Sequence, residues 1–386
     1  MPNRVRQRSG LDGLRRGGSV PHGTTLTQRL GLRHPVIQAP LAGGGDTPDL
    51  VVAVCEAGAL GFIGASYLTP AQIVETASAV RTRTARPFGI NLFAPIGPAA
   101  EAPPDPGSML RRLAPFFAEV GLPPPEAPAV KIDFFDEQLA VALESGASVF
   151  SFTFGILPTK AVEAIKARGM FLMGTATTVE EAVVLERKGV DAVVTQGSEA
   201  GGHRGSFVSS FEAGLVGTIA LVPQVVDAVT VPVIASGGIM DGRGIAAALA
   251  LGASAVQMGT AFLTCHEAGI PDVYKQAILT AQEDQTRLTR AFSGRLARGI
   301  ENRFMKELGP EAILPFPLQN ALTRPLRSAA AKQGRPEFLS LWAGQGVRLG
   351  RRQSARELVA RLVDETEEAV KRIAHGTAGK RRRSQR

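Results

Sequence analysis

Two cysteines in 386 residues exclude a disulfide framework, and neither Cys55 nor Cys265 sits at metal-ligand spacing, which suits a reducing compartment. His266-Glu267 would open a zinc helix only with a histidine at position 270, which is Ile270. No run of about 18 apolar residues occurs, so no spanning helix is expected. The Arg-rich start is not followed by an apolar stretch of about 7–15 residues, so no signal peptide is expected and the location is read as cytoplasmic. No Gly-x-Gly-x-x-Gly opens a βαβ unit, and Walker A and Gly-x-Ser-x-Gly are absent. These absences remove a separate dinucleotide domain, P-loop chemistry and a serine nucleophile elbow.

The net charge of +8 is not a property of the folded part. Arg4, Arg6, Arg8, Arg15 and Arg16 against Asp12 give residues 1–20 a charge of +4. Lys380, Arg381, Arg382, Arg383 and Arg386 give residues 373–386 a charge of +5, which leaves −1 over residues 21–372. Segments 1–23 and 374–386, poor in apolar residues, read as solvated disordered tails rather than nucleic-acid contacts.

From residue 36 onward, short apolar runs alternate with segments of helical period. Strands are expected at 36–39, 60–63, 88–92, 149–153, 171–173, 192–195, 233–235 and 255–258. Most are apolar on both faces, as parallel strands covered by helices are. Thr69-Pro70 opens a helix through residue 79, and Thr178 caps one whose first turn holds Glu180 and Glu181 and which Gly189 ends. The fold class is therefore α/β, a TIM (β/α)8 barrel, with a doubly wound sheet as the rival. The barrel is placed at 24–264, a lid or substrate region after strand eight at 265–350, and a closing amphipathic helix at 351–373. A second Pro-rich excursion, 94–130, follows strand three. Both excursions leave the C-terminal ends of strands, the active face of such barrels, and are expected to roof the site.

Strand seven runs into Ser236-Gly237-Gly238-Ile239 and a helix from Asp241. Strand eight ends Gln257-Met258-Gly259-Thr260. Glycines admit an oxyanion close to the backbone, and helix-start N–H groups point at it. One Gly-Gly alone reads equally well as a tight turn; glycines after both strands, at consecutive barrel positions, favour a phosphate site. After strand six, four glycines surround His203 in 195–205, a Cβ-poor loop suited to a flat ring. An imidazole there can change charge near neutral pH and exchange a proton. Arg204 offers either a cation for an anionic substrate or a surface ion pair. Asn91 and Gln196, at the ends of strands three and six, present amides that can read a heterocycle or satisfy local backbone groups. Cys265 reads as packing rather than as a nucleophile.

These residues resemble the nitronate monooxygenase family of FMN-dependent barrels, over about 30–363. The likeness rests on Gln38-Ala39-Pro40-Leu41-Ala42-Gly43-Gly44, Gly89-Ile90-Asn91-Leu92, the stretch from Gln196 to His203, and the two loops after strands seven and eight. Phe292-Ser293-Gly294-Arg295 and Leu341-Trp342-Ala343-Gly344-Gln345 look like the bacterial class. The Gly201-Gly202-His203 element is shared with FMN-dependent enoyl-ACP reductases. The resemblance implies FMN held by Pro40, Asn91, Gln196, Gly201, Gly202, Gly237, Gly238, Gln257, Met258, Gly259 and Thr260, with His203 as the active-site residue and no metal. Leu41 stands where the family usually has Met, a swap that conserves volume and loses a sulfur contact. The implied reaction is oxidation of an alkyl nitronate by O2 to a carbonyl compound and nitrite. Its partners are a small anionic nitronate and O2, not nucleic acid or membrane, and a homodimer is left open.

Overall fold

The computed structural model describes residues 24–95, 105–127 and 134–375, so the basic ends and part of the Pro-rich excursion lie outside the described residues. Its eight barrel strands are β1 (Val36–Gln38), β2 (Phe62–Gly64), β3 (Gly89–Phe93), β4 (Val149–Thr153), β5 (Phe171–Ala176), β6 (Ala192–Gln196), β7 (Val233–Ser236) and β8 (Ala255–Met258). All pairings are parallel in the order β1-β8-β7-β6-β5-β4-β3-β2. A bridge from Ile37 to Leu60, just before β2, brings the two edges together. Two strands depart from expectation: β5, expected at 171–173, runs on to Ala176, and β2 starts at Phe62 because Leu60 bridges rather than pairs. That is the closing seam, where strand twist leaves few bonds to make.

Local chemistry explains the punctuation. Thr69 and Gln72 form a full capping box ahead of helix Pro70–Arg81, and Thr178 Oγ1 accepts from Glu181 N–H at the start of Val179–Arg187. Inside the barrel, Phe62 fills the axis, and Gly89 beside it has no room for a Cβ, which would lie 2.3 Å from the Phe62 ring. The strand starts Val149, Phe171, Ala192 and Ala255 share a core with Leu26, Leu30 and Leu32, so helix Thr25–Leu30 plugs the N-terminal mouth. Helix Ala355–His375 closes the ring against Gly242–Ala250 and Pro48–Glu56. The approach is close: a Cβ on Gly242 would sit 2.2 Å from Thr366 N.

The two excursions do not roof the barrel separately. Met109, Leu113, Phe116 and Phe117 of helix Gly107–Glu119 share one core with Phe292, Phe304, Leu322, Leu326 and Phe338, which follow β8. Phe116 stands edge-on to Phe304 at 5.1 Å between ring centres. A single roof results, built over the C-terminal ends of the strands. It includes a small antiparallel sheet in which Gly202–His203 pairs with Ala297–Ile300, and that strand with Thr286–Thr289. No helix among the described residues is long and apolar enough to cross a membrane.

Candidate active site

The strand ends and the roof enclose a cavity of about 850 Å³, and every residue expected to hold a cofactor lies on its wall, as does His203. Its floor is the turn after β1. Asp46 fixes that turn by accepting from Leu41 N–H (3.0 Å) and Gly64 N–H. Burial pushes the Asp46 carboxyl up to about 6, against those two bonds.

At one end, Gly237 (φ 119°) and Gly238 (φ 71°) take a backbone conformation that other residues rarely adopt. The N–H groups of Gly237, Gly238, Gly259 and Thr260 have no acceptor among the described residues, so this end is a ready anion cradle. The helix after β7 takes no part, contrary to expectation. Gly242 N–H donates to Glu365 Oε2 (3.1 Å), and Arg243 and Gly244 donate to Asp241 Oδ1 (3.0 and 3.4 Å). Its first turn is spent on carboxylates of this chain. The helix start that faces the cavity is Thr260–Leu263, after β8.

Gln196 is committed in large part to the backbone: Nε2 donates to His203 O (3.0 Å), and Oε1 accepts from Gly205 N–H (2.9 Å). Asn91 gives Nδ2 to Ser151 Oγ (2.8 Å) and keeps its carbonyl oxygen uncommitted. Arg204 is neither a substrate cation nor a surface residue. Fully buried, it donates to the carbonyls of Gly197 (2.6 Å), Gln196 (3.0 Å) and Gly214 (2.9 Å), and so clamps the loop after β6. Glu181, also fully buried, ties the same loop from the other side through Phe207 N–H (2.5 Å) and Val208 N–H (3.1 Å). Both cysteine thiols are buried and pushed up to about 12, which leaves no thiolate for nucleophilic work.

His203 sits in an aromatic cage. Its ring lies 5.4 Å from Trp342, 5.8 Å from Phe154 and 6.3 Å from Phe316, with Phe93 4.4 Å beyond Phe154. Phe154 is held at φ 78°, a strained geometry for an aromatic residue, with the Arg295 guanidinium 3.9 Å above its ring. Nε2 of His203 is 2.8 Å from Ser293 Oγ, which also contacts Arg295 O (3.1 Å). With Ser293 donating to that carbonyl, Nε2 carries the imidazole hydrogen and Nδ1 keeps a lone pair, an assignment from the network. Burial, then the charges of Arg295 and Arg327, lower the imidazole to about 3. The sequence expectation of a group titrating near neutrality is therefore corrected: His203 is neutral.

Phe93, Phe154, Phe316, Ser293 and Arg327 escaped the sequence reading as site residues. Phe93, the last residue of β3, and Phe154, directly after β4, were findable from strand-end position alone.

This is the architecture of the (β/α)8 oxidoreductases. Within that class the chain belongs to the nitronate monooxygenase family, whose model matches residues 24–365. A probable nitronate monooxygenase of Staphylococcus aureus is 42% identical over 346 residues, covering 88% of this chain and 96% of the relative. Among solved structures, nitroalkane oxidase from Streptomyces ansochromogenes superposes with a TM-score of 0.83 at 42% identity, over 90% of this chain and 99% of that one. FabK from Thermotoga maritima follows at 0.71 and 30% identity, over 92% and 99%. The family is flavin-dependent, and the protein is an oxidoreductase of that kind.

Proposed function

We propose that the protein holds FMN in this cavity and oxidises alkyl nitronates, such as propionate 3-nitronate, with O2 to a carbonyl compound and nitrite. The observation that carries the reading is one cavity with an unpartnered N–H cradle at one end and a caged neutral imidazole at the other. Gly237, Gly238, Gly259 and Thr260 would take the phosphate, while Asn91 and the free groups of Gln196 would meet the ring. Bound flavin supplies the electron transfer between substrate and O2. This chain's own part is to exclude water with the cage, and to hold the imidazole hydrogen-bonding groups at the substrate's reacting end. The test is purified protein with propionate 3-nitronate: yellow colour, oxygen uptake and nitrite release are expected. No nitrite, together with fast NADPH oxidation on crotonyl-CoA, would assign it to enoyl reduction instead.

A second expectation concerns pH. The His203 pKa of about 3 lies below the unfolded value of 6.5, so the native imidazole stays neutral at working pH. The unfolded chain takes up that proton first, so its contribution to stability is intact above pH 6.5 and lost as pH falls towards 3. By NMR, the His203 ring signal, identified by its disappearance in His203→Asn, should not move between about pH 5 and 8. A midpoint near 6.5 would contradict the assignment.

A further inference from the structure

The roof helix Leu318–Lys332 brings two guanidinium groups, Arg324 and Arg327, to the cavity wall one turn apart. The partners of Arg327 are all neutral: Nη2 donates to Asn320 O (3.0 Å) and Oδ1 (2.8 Å), and Nη1 reaches Ser340 Oγ only at 3.5 Å. Its Nε–H is buried with no acceptor. Neither arginine forms an ion pair among the described residues, and each repels the other. Burial lowers Arg327 to about 10, which still leaves it charged at neutral pH.

An enclosed cation without a counter-charge is costly, and proteins rarely keep one without use. The cavity offers no compensation. Its one carboxyl among the described residues, Asp46, is tied to Leu41 and Gly64 in the floor, Tyr67 is a neutral phenol pushed up to about 12, and His203 is uncharged. Nor is Arg327 a phosphate ligand by position. The groups it touches, Asn320 and Ser340, belong to the roof, whereas the cradle is bounded by Glu199, Ala200 and Thr218. The positive charge therefore faces the part of the cavity beside His203 and the aromatic cage.

We propose that Arg327, assisted by Arg324, receives the negative charge of the substrate and makes the cavity select a nitronate anion over the neutral nitroalkane of the same carbon skeleton. This rests on the nitronate reading above. Both Nη2 hydrogens are spent on Asn320 and Nε is buried, so Nη1, with only the 3.5 Å reach to Ser340, is the donor left for a nitronate oxygen. A charge-assisted bond in a dry site discriminates strongly against a neutral competitor.

The test uses the flavin-loaded enzyme, with nitrate as a planar oxyanion that cannot be oxidised, titrated through the flavin absorbance. Arg327→Met should keep its flavin but weaken nitrate about 10- to 100-fold, and raise KM for ethyl nitronate similarly. The Ki of nitroethane, a neutral competitor, should move less than about threefold, because no charge-assisted bond is lost. Arg324→Gln, at an exposed position, should weaken nitrate by about two- to fivefold at low salt and not at high salt. Wild-type nitrate affinity and KM in Arg327→Met would overturn the proposal. Should that variant fail to fold, an unchanged low-salt affinity in Arg324→Gln does the same. The two readings fail separately. Nitrite formed at wild-type KM without Arg327 removes the anion site alone, whereas Arg327-dependent nitrate binding without nitrite formation removes only the nitronate chemistry.

Discussion

His203→Asn should purify folded and yellow, with turnover of propionate 3-nitronate reduced about 10²- to 10³-fold, the range for loss of one preorganised hydrogen-bonding group at the reacting centre. The cradle proposed for the phosphate lies on the loops after β7 and β8, which this change does not touch. The backbone of residue 203 stays anchored, because its contacts with Ala297 and Gln196 are main-chain groups that asparagine also has. What goes is the imidazole between Ser293 and the cage of Phe154, Phe316 and Trp342. The smaller side chain leaves a gap among those rings, so a stability loss of about 1–2 kcal/mol should accompany the kinetic one. Flavin-to-protein absorbance ratio, thermal melting and nitrite release separate these effects. Full nitrite release in a yellow variant would take His203 out of the mechanism.

The barrel was legible because its strands are buried on both faces. Runs such as Val149–Thr153 and Ala192–Gln196 are mostly apolar and buried at four consecutive residues, and glycines such as Gly189 and Gly252 mark where helices hand over to the strands. Glycine was also the readable part of the site, since a positive φ at Gly237 and Gly238 is a property of single residues. The helix after β7 misled for a related reason. Asp241 is visible as a cap in the sequence, but Glu365 arrives from 123 residues away to take the Gly242 N–H.

The rest depends on contacts that no local pattern carries. Arg204 is flanked by glycines in a loop, the setting of an exposed residue, and only the fold shows three carbonyls converging on it. The neutral state of His203 is set first by its burial and then by the charges of Arg295 and Arg327, both from the region after β8. Similarly, the single roof exists because apolar faces from residues 107–119 and from 290 onward meet, and each alone reads as an ordinary amphipathic segment. Electrostatics and roof packing were thus hidden together, because one region supplies both.

Gly201→Ala tests where that roof is fastened to the barrel. The position does not need glycine for its dihedral angles, since its φ is not in the left-handed region. It needs glycine for space: an added Cβ would lie 2.5 Å from the Ala343 carbonyl carbon and 2.6 Å from Gly344 N. Those are backbone atoms, which cannot swing aside as a side chain would. The same constraint runs in reverse, as a Cβ on Gly344 would lie 2.7 Å from Glu199 O. Two bonds hold the segments at this distance, Gln345 N–H to Glu199 O (2.9 Å) and Gly344 N–H to Thr260 Oγ1 (3.0 Å). Forcing them apart moves Trp342 off His203 and Thr260 out of the cradle in one displacement. Overpacking against backbone should cost about 3 kcal/mol, and the variant should lose retained flavin on dialysis as well as thermal stability. Gly202→Ala is the informative contrast. It sits at φ 76° with no protein atom within 4 Å of an added Cβ, so it should cost only about 1–2 kcal/mol of backbone strain and leave the roof fastened. A Gly201→Ala protein that melts and holds flavin like the wild type would mean that the roof is not fastened there.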